Sequence, residues 1–160
     1  YTRKDLELAT LAEHDRMLAR LTGNLVLTFP WLQPRDRAAA VALGWLDQLF
    51  NNLRDVDEDA AAGLCLLPRD LLVRHGLTRA DVLGRRAGDH LGFRPLVLFL
   101  VEQHAPPLRE LARNFAAHAR AHPSLVAMRE WTLERHARIE AALRAARFDP
   151  RAFRTAYFGG

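Results

Sequence analysis

The chain has 160 residues, one cysteine and a formal net charge of +4. This length suits one domain, which we place at residues 1–160, and it allows about two-thirds of the unfolded chain's surface to be buried. The lone Cys65 excludes an internal disulfide framework and fits a reducing cytosol, so we predict a cytoplasmic protein. The longest apolar run, residues 96–101, is too short to span a bilayer.

Helical patterns follow one another along the chain, and we predict no strand. Thr2 with Asp5 predicts a capped helix that reaches about Leu21, and Gly23-Asn24 and Pro30 interrupt or end it. A long central helix is predicted from Pro34-Asp36 to Gly63. Further helices are predicted at 69–75, from 78, from 95 to the Pro106-Pro107 pair, from there to about 122, at 124–147 and from 149.

Turn and cap residues separate these later helices. Gly76 is the predicted C′ cap of the helix at 69–75, and Thr78 with Asp81 forms a capping-box pattern. Residues 84–92 are predicted as a loop, and Ser124 as the cap of the helix that follows Pro123.

The central helix has one polar face and one apolar face. At about 100° per residue, a narrow polar arc contains Gly44, Gln48, Asn51, Asn52, Asp55 and Asp59. The neighbouring arc is apolar and should face the core; it contains Trp45, Leu46, Leu49, Phe50, Leu53, Val56 and Ala60. A line of amides and carboxylates beside the core-facing arc favours a polar pocket.

Asp55 and Asp59, one turn apart, are candidate ligands for a hard cation. Mg²⁺ takes one or two carboxylates and completes its coordination with water and phosphate oxygens. A solvated acidic helix end is the alternative, and both interpretations stay open. The acids lie near the predicted helix C-terminus, where the macrodipole disfavours negative charge. Arg54 can pair with Glu58 at i,i+4, but nothing local neutralises Asp55 and Asp59.

Residues 42–59, ALGWLDQLFNNLRDVDED, and 66–77, LLPRDLLVRHGL, resemble the second aspartate-rich region of the squalene/phytoene synthase family. The matching positions are Gly44, Gln48, Leu49, Asn51, Leu53, Arg54, Asp55, Val56, Glu58, Asp59, Gly63, Leu67, Pro68 and Gly76. Weaker matches are His136, Ile139, Leu143, Phe148 and Asp149, and the segment 22–27 with Gly23 as the pocket glycine. The sequence of residues 57–60, Asp-Glu-Asp-Ala, resembles the bacterial squalene or presqualene diphosphate synthases in particular.

The resemblance implies an all-α, isoprenoid-synthase-like helical bundle, of which this chain is the C-terminal part. It implies a Mg²⁺-dependent prenyltransferase that condenses two farnesyl or geranylgeranyl diphosphates head to head. The products are squalene, presqualene diphosphate or phytoene, and NADPH is a further cofactor where squalene is the final product. Peripheral contact with a membrane is an alternative to a purely cytoplasmic location.

The resemblance also assigns roles to individual residues. Asp55 and Asp59 would bind Mg²⁺ with Glu58 as a supporting acid, and Arg54 would offer positive charge to the leaving diphosphate or to the acidic cluster. The remaining candidates would contact the substrate: Gln48, Asn51, Gly23 and His136.

The chain departs from the family pattern at several points. The arginine and tyrosine of the family's G-R-x-Y-L-P element are Leu64 and Leu66, and the C-terminal tyrosine is His136. No first Asp-x-x-x-Asp motif precedes residue 44. These departures leave two alternatives: a non-catalytic relative that binds or assembles other molecules, and a second polypeptide that supplies the missing half of the pocket.

Other clusters have simpler interpretations. His118 and His122 have the i,i+4 spacing of a zinc pair but no clear third ligand, so we predict solvated histidines. Trp31, Trp45 and Trp131 are predicted to be packing anchors. Arginines between 129 and 154 alternate with glutamates in i,i+4 pairs, so we expect no nucleic-acid binding.

Overall fold

A computed structural model describes residues 6–159, and these residues form helices without a strand. Ten α-helices lie in this range: α1 (Leu11–Leu18), α2 (Asn24–Val26), α3 (Arg37–Arg54), α4 (Val56–Ala61), α5 (Arg69–Arg74), α6 (Arg79–Leu83), α7 (Phe93–Leu98), α8 (Pro106–Arg113), α9 (Pro123–Ala145) and α10 (Pro150–Phe158). Two π-helical segments, Ala19–Gly23 and Phe99–His104, and two 3₁₀ turns, Pro34–Asp36 and Ala87–Asp89, lie between them. The predicted all-α fold is confirmed.

The first helix begins later than the sequence predicts. Thr2 and Asp5 lie outside the described residues, and α1 is capped by Thr10, whose side chain accepts a hydrogen bond from the first turn. Residues 6–9 are not helical. They lie against the start of α5, where the N–H of Arg69 donates to this segment at 2.8 Å.

Gly23 does not interrupt the first helical stretch, which continues through the π segment into α2 and ends before Pro30. Gly23 and Gly44 instead allow this stretch to cross α3 closely. A Cβ on Gly44 would lie 2.7 Å from the carbonyl carbon and oxygen of Thr22, and a Cβ on Gly23 would lie 3.1 Å from Cγ1 of Val41. The two glycines therefore fix the distance between the first helical stretch and α3.

The predicted central helix is two helices. They meet at Asp55, which has φ −99° and ψ 10°. Asp55 takes part in hydrogen bonds to both helices, because its N–H donates to Asn51 O at 2.9 Å and its carbonyl accepts from Asp59 N–H at 2.8 Å. Every residue of the predicted apolar arc is buried: Trp45, Leu46, Leu49, Phe50, Leu53, Val56 and Ala60. The predicted core face is confirmed.

α3 is the centre of the bundle. It packs against the π segment Ala19–Gly23, α8 and α9, while α10 packs on α9 and also contacts α3 and α4. One hydrophobic core extends from Leu8 to Phe153. Among residues 6–159, no helix combines the length and the apolarity needed to cross a bilayer.

Caps predicted from local sequence are found around α5 and α6. Gly76 follows α5 with φ 73°, and Thr78 and Asp81 form the capping box of α6. Helix starts are less accurate: α7 begins at Phe93, two residues before Pro95. α9 begins at Pro123, and its cap is the His122 ring rather than Ser124.

Residues 114–122 are not helical, contrary to prediction, because they are bound to a buried acid. Asp36 is 3% exposed and accepts hydrogen bonds from the N–H of Ala116, at 3.2 Å, and from Nε2 of His118, at 3.1 Å. Ala116 has φ 51°, which no helix tolerates. The prediction of a solvated His118 is therefore wrong, since its ring is tied to Asp36.

The three tryptophans differ in burial. Trp45 is 3% exposed and anchors the core, as predicted. Trp31 and Trp131 are 52% and 58% exposed, so their prediction as packing anchors is wrong.

Candidate active site

The acidic sequence lies at the beginning of α4 rather than at the end of a long helix. Asp57, Glu58 and Asp59 occupy the first turn of α4, directly after the junction at Asp55. Negative charge is favoured at a helix N-terminus, because the unpaired N–H groups point toward it. The conflict with the helix dipole that the sequence predicted is therefore absent.

Arg54 binds its neighbour Asp55 through two hydrogen bonds. Nε donates to Oδ1 and Nη2 to Oδ2, both at 2.6 Å. This bidentate pair raises the pKa of Arg54, with burial acting in the opposite direction. Both side chains are about a quarter exposed, at 25% and 27%. Asp55 is therefore held in one orientation at the mouth of a cleft.

The acids on the outer side of α4 have arginine partners from other parts of the chain. Glu58 accepts a hydrogen bond from Nη1 of Arg154 in α10 at 2.6 Å. Asp57 accepts two from Arg85, at 2.9 and 2.6 Å. The predicted Arg54–Glu58 pair is not formed, because the guanidinium of Arg54 is occupied by Asp55.

Asp59 is the acid without such a partner. Its half-buried carboxyl accepts no hydrogen bond from the residues that the structure describes. Burial and, to a smaller extent, the negative charges of Asp55 and Glu58 together raise its pKa to about 6, against an opposite effect of Arg54. Apolar side chains cause this burial, since Asp59 shares a small cavity with Leu64 and Leu66.

The fit of these acids to Mg²⁺ is partial. Within residues 6–159, no group of three or more histidines, cysteines or acids is placed to hold a metal ion. Glu58 is engaged by Arg154, so it does not complete a site with Asp55 and Asp59. The repulsion that raises the pKa of Asp59 is nevertheless what a nearby cation would relieve. Two carboxylates from this helix junction suit Mg²⁺ only if water and phosphate oxygens supply the remaining ligands.

A cleft of about 320 Å³ separates α4 from α10. Asp55 and Glu58 line one side of it, and Arg85, Arg151 and Arg154 line the other. Local sequence did not indicate these arginines as part of the site, because they lie 27 to 99 positions away from Asp55 and Glu58. The cleft carries both signs of charge beside Asp55, whereas Asp59 lines the separate small cavity with Leu64 and Leu66.

Gln48 and Asn51, two of the amides in the predicted polar arc, face different neighbours. Gln48 donates a hydrogen bond to Asn52 at 2.8 Å, on the face that leads to Asp55. Asn51 is turned toward α9, where its Oδ1 accepts a hydrogen bond from Arg135 at 3.0 Å. Residues of one polar arc therefore lie in two different environments, the face leading to Asp55 and the contact with α9.

His136 lies at the contact between α3 and α9 and not beside the acidic cleft. It is 3% exposed, its Nε2 lies 3.1 Å from Oδ1 of Asp47, and its ring stacks on Phe50 at 4.9 Å. Arg135 donates to the same carboxylate. Burial would raise the pKa of Asp47, but hydrogen bonds from His136 and Arg135 lower it. Sequence reasoning missed Asp47, and its i,i+4 spacing to Asn51 was the available signal.

An apolar groove of about 630 Å³ lies at the other end of α3. Its lining residues from α3 include Val41 and Trp45, and Leu27, Leu108 and Leu111 come from the neighbouring elements. Residues spaced three or four apart share one helix face, which leads from this groove along α3 and into α4 to the acids. They are Val41, Trp45, Gln48, Asn52, Asp55 and Asp59. One face of α3 is therefore apolar near its N-terminus and acidic at its C-terminus. Gly23 lies behind Val41 and does not line the groove.

The chain is similar to known phytoene synthases. It is 37% identical to phytoene synthase 3, chloroplastic, from Zea mays over 100 residues, which cover 54% of this chain and 24% of that protein. It is 36% identical over 81 residues to phytoene synthase from Arthrospira platensis (48% of this chain, 26% of that protein) and 47% identical over 79 residues to phytoene synthase 1, chloroplastic, from Arabidopsis thaliana (45% and 19%). The matched segments thus span about a quarter or less of these relatives.

A family-wide comparison covers far more of the chain. Residues 5–157 match the sequence model of the squalene/phytoene synthase family. This match includes α1 to α9, the junction at Asp55 and most of α10. The chain belongs to the squalene/phytoene synthase family.

Proposed function

We propose that this chain belongs to an enzyme that condenses two prenyl diphosphates head to head, and that residues 1–160 form one helical domain carrying its second aspartate-rich motif. The observation that carries the proposal is the polarity of the stretch formed by α3 and α4, in which helical spacing aligns Val41 and Trp45 of the apolar groove with Asp55 and Asp59. A prenyl diphosphate has the same polarity, with a hydrocarbon chain and an anionic head.

The names of the relatives support geranylgeranyl diphosphate as substrate and phytoene as product. The sequence of residues 57–60 supports the alternative, in which farnesyl diphosphate is the substrate and squalene or presqualene diphosphate is the product. Extraction and chromatography of the hydrocarbon product, with and without NADPH, distinguishes the two because only the formation of squalene consumes the reductant.

We assign Asp55 and Asp59 as the carboxylates that would hold Mg²⁺, whose charge would stabilise the leaving diphosphate. Arg54 keeps Asp55 oriented through its two hydrogen bonds, and Gln48 orients the substrate through the face it shares with Asn52. Glu58 acts from outside the metal set, through its pair with Arg154. We assign Asn51 and His136 a positioning role, since their contacts hold α9 against α3.

The experiment is pyrophosphate release by the purified full-length protein with Mg²⁺ and each prenyl diphosphate in turn. Asp55→Asn and Asp59→Asn should each lower kcat/KM roughly a hundredfold or more, because charge stabilisation of the leaving group is lost. Glu110→Gln is the matched control, because this glutamate is 73% exposed and pairs with Arg113 on its own helix. Unchanged activity of both aspartate variants would refute the metal assignment.

A non-catalytic relative is the second candidate. The observation that favours it is the apolar environment of Asp59, where Leu64 and Leu66 stand in place of the family's polar residues. Tight Mg²⁺ binding without pyrophosphate release from either substrate would support this candidate. We also propose a cytoplasmic location, supported by the single buried free thiol of Cys65.

A further inference from the structure

The arginines that line the cleft beside Asp55 are not held equally. They are Arg54, Arg85, Arg151 and Arg154. The first two each donate two hydrogen bonds to one carboxylate, and Arg151 binds two carboxylates at once. Within residues 6–159, Arg154 donates a single hydrogen bond, from Nη1 to Oε1 of Glu58 at 2.6 Å. Arg154 is therefore the least constrained of these guanidinium groups.

The pair of Arg154 and Glu58 lies at the surface. The side chain of Arg154 is 75% exposed and that of Glu58 is 59% exposed. Ion pairs exposed to this degree contribute little to stability, because water competes for both charges. α10 is anchored by the buried Phe153 instead. Arg154 can therefore leave Glu58 without displacing α10.

The attraction between Arg154 and Glu58 depends on the negative charge around Glu58. Asp55 and Asp59 lie within one turn of it, and the charges of Asp55 and Glu58 repel that of Asp59. A cation held by the two aspartates would neutralise part of this charge and would also repel the guanidinium. Arg154 would then be held less tightly by Glu58 than it is in the metal-free protein.

We propose that Arg154 exchanges partners: it pairs with Glu58 in the metal-free protein and with the diphosphate group of the substrate once Mg²⁺ is bound. This inference rests on the proposed function, which places a metal at Asp55 and Asp59 and a prenyl diphosphate beside them. A guanidinium binds phosphate oxygens as well as it binds a carboxylate, and a diphosphate carries more negative charge than Glu58. The cleft of about 320 Å³ is large enough for a small ligand.

The test is isothermal titration calorimetry of the purified full-length protein without a prenyl substrate. Arg154→Gln removes a positive charge that competes with the metal, so Mg²⁺ alone should bind roughly threefold more tightly. Inorganic diphosphate at saturating Mg²⁺ should bind roughly tenfold more weakly to the same variant, because a charged donor is lost. A side chain with a merely structural role would not change the two affinities in opposite directions.

Glu58→Gln should give the mirror image of these results. It removes the carboxylate that holds Arg154, so inorganic diphosphate at saturating Mg²⁺ should bind roughly twofold more tightly. Mg²⁺ alone should bind roughly threefold more weakly, because a nearby negative charge is lost. Arg113→Gln is the matched control and should change neither affinity, since Arg113 is 60% exposed and pairs with a single glutamate, Glu110, outside the cleft.

The exchange would be overturned if Arg154→Gln weakened both ligands or changed neither, or if the wild-type protein did not bind inorganic diphosphate at saturating Mg²⁺. Far-ultraviolet circular dichroism verifies that the helices of each variant are intact. The proposed reaction is measured separately, as pyrophosphate release from prenyl diphosphates. Opposite changes in the two affinities without such release would support the exchange and refute the reaction.

Discussion

The guanidinium of Arg54 holds both carboxylate oxygens of Asp55, each at 2.6 Å, at the junction between α3 and α4. Asp59, one turn later, has no such partner among residues 6–159 and has a pKa of about 6. The two aspartates of the motif are therefore not equivalent. Asp55 is held in one orientation by Arg54, whereas Asp59 has a raised pKa and gains its charge only near pH 6.

This difference predicts a pH dependence of stability. The pKa of Asp59 in the folded protein, about 6, lies above its ordinary value of 3.8, so the folded state binds the proton more tightly than the unfolded state. Stability should fall as pH rises from about 4 to about 6, and the penalty remains at higher pH. Asp59→Asn should therefore stabilise the metal-free protein at about pH 7.5 by about 1 kcal/mol, allowing for solvent screening of a half-buried side chain.

Urea unfolding in the presence of a chelator measures this effect. The difference between Asp59→Asn and wild type should disappear below about pH 4, where Asp59 is protonated in both states. A difference that is constant with pH would mean that the substitution acts through packing rather than through charge.

Mg²⁺ binding should follow the same titration. A cation competes with the proton for Asp59, so the affinity for Mg²⁺ should decrease as pH falls below about 6. Isothermal titration calorimetry at several pH values measures this affinity. In Asp59→Asn the remaining affinity should be weak and nearly independent of pH in this range; an unchanged pH profile would exclude Asp59 as the titrating ligand.

Arg54 should not be replaceable by lysine. Lysine keeps the positive charge but cannot donate two parallel hydrogen bonds to Asp55. We expect Arg54→Lys to lower kcat/KM roughly tenfold to a hundredfold. Arg113→Lys is the matched control, because Arg113 is 60% exposed and pairs with Glu110 on the surface. Full activity of Arg54→Lys would show that the charge alone matters.

The close crossing of α3 predicts two different costs for glycine substitution. The Cβ of Gly44→Ala would meet the backbone of Thr22 at 2.7 Å, so the helices must separate, at a cost of about 2 to 3 kcal/mol. The Cβ of Gly23→Ala has Cγ1 of Val41 as its nearest atom, at 3.1 Å, and the backbone of Val41 lies at ordinary contact distance, 3.4 Å or more, so this substitution should cost about 1 kcal/mol or less. Urea unfolding midpoints compare the two. Equal midpoints would contradict the crossing geometry.

Asp47 should be important for stability. Asp47→Ala would leave the buried His136 and Arg135 without their shared acceptor, which should destabilise the protein by about 2 to 4 kcal/mol. Because hydrogen bonds hold the pKa of Asp47 below 3.8, the stabilisation by Asp47 is present above that pH and is lost on acidification. Unfolding by urea at neutral and acidic pH measures both effects.

Glu130→Gln is the control for Asp47→Ala, since Glu130 is 67% exposed and pairs with its neighbour Arg129. Its unfolding midpoint should equal that of the wild type. A similar loss of stability in both variants would mean that Asp47 contributes no more than a surface charge.

Local sequence determined the helical class, the buried arc of α3 and the one-turn spacing of Asp55 and Asp59. Helical periodicity fixes which residues share a face, and the core then selects the apolar face. The capping residues Thr78 and Gly76 were predictable for the same reason, because their hydrogen bonds are made within a few residues.

Tertiary structure decided what each face meets. Asn51 and Asp55 share a polar arc, yet Asn51 binds Arg135 from α9 and Asp55 borders a cleft lined by arginines from α10. Helix α8 ends at Arg113, earlier than predicted, because the loop that follows it is bound by the buried Asp36, some 80 residues away in sequence. The spacing of residues along a helix specifies the direction in which each side chain points from the helix axis. Which residue the side chain then contacts depends on how helices distant in sequence pack. That packing depends on which apolar surfaces and polar groups of distant helices fit together, and no local sequence pattern encodes it.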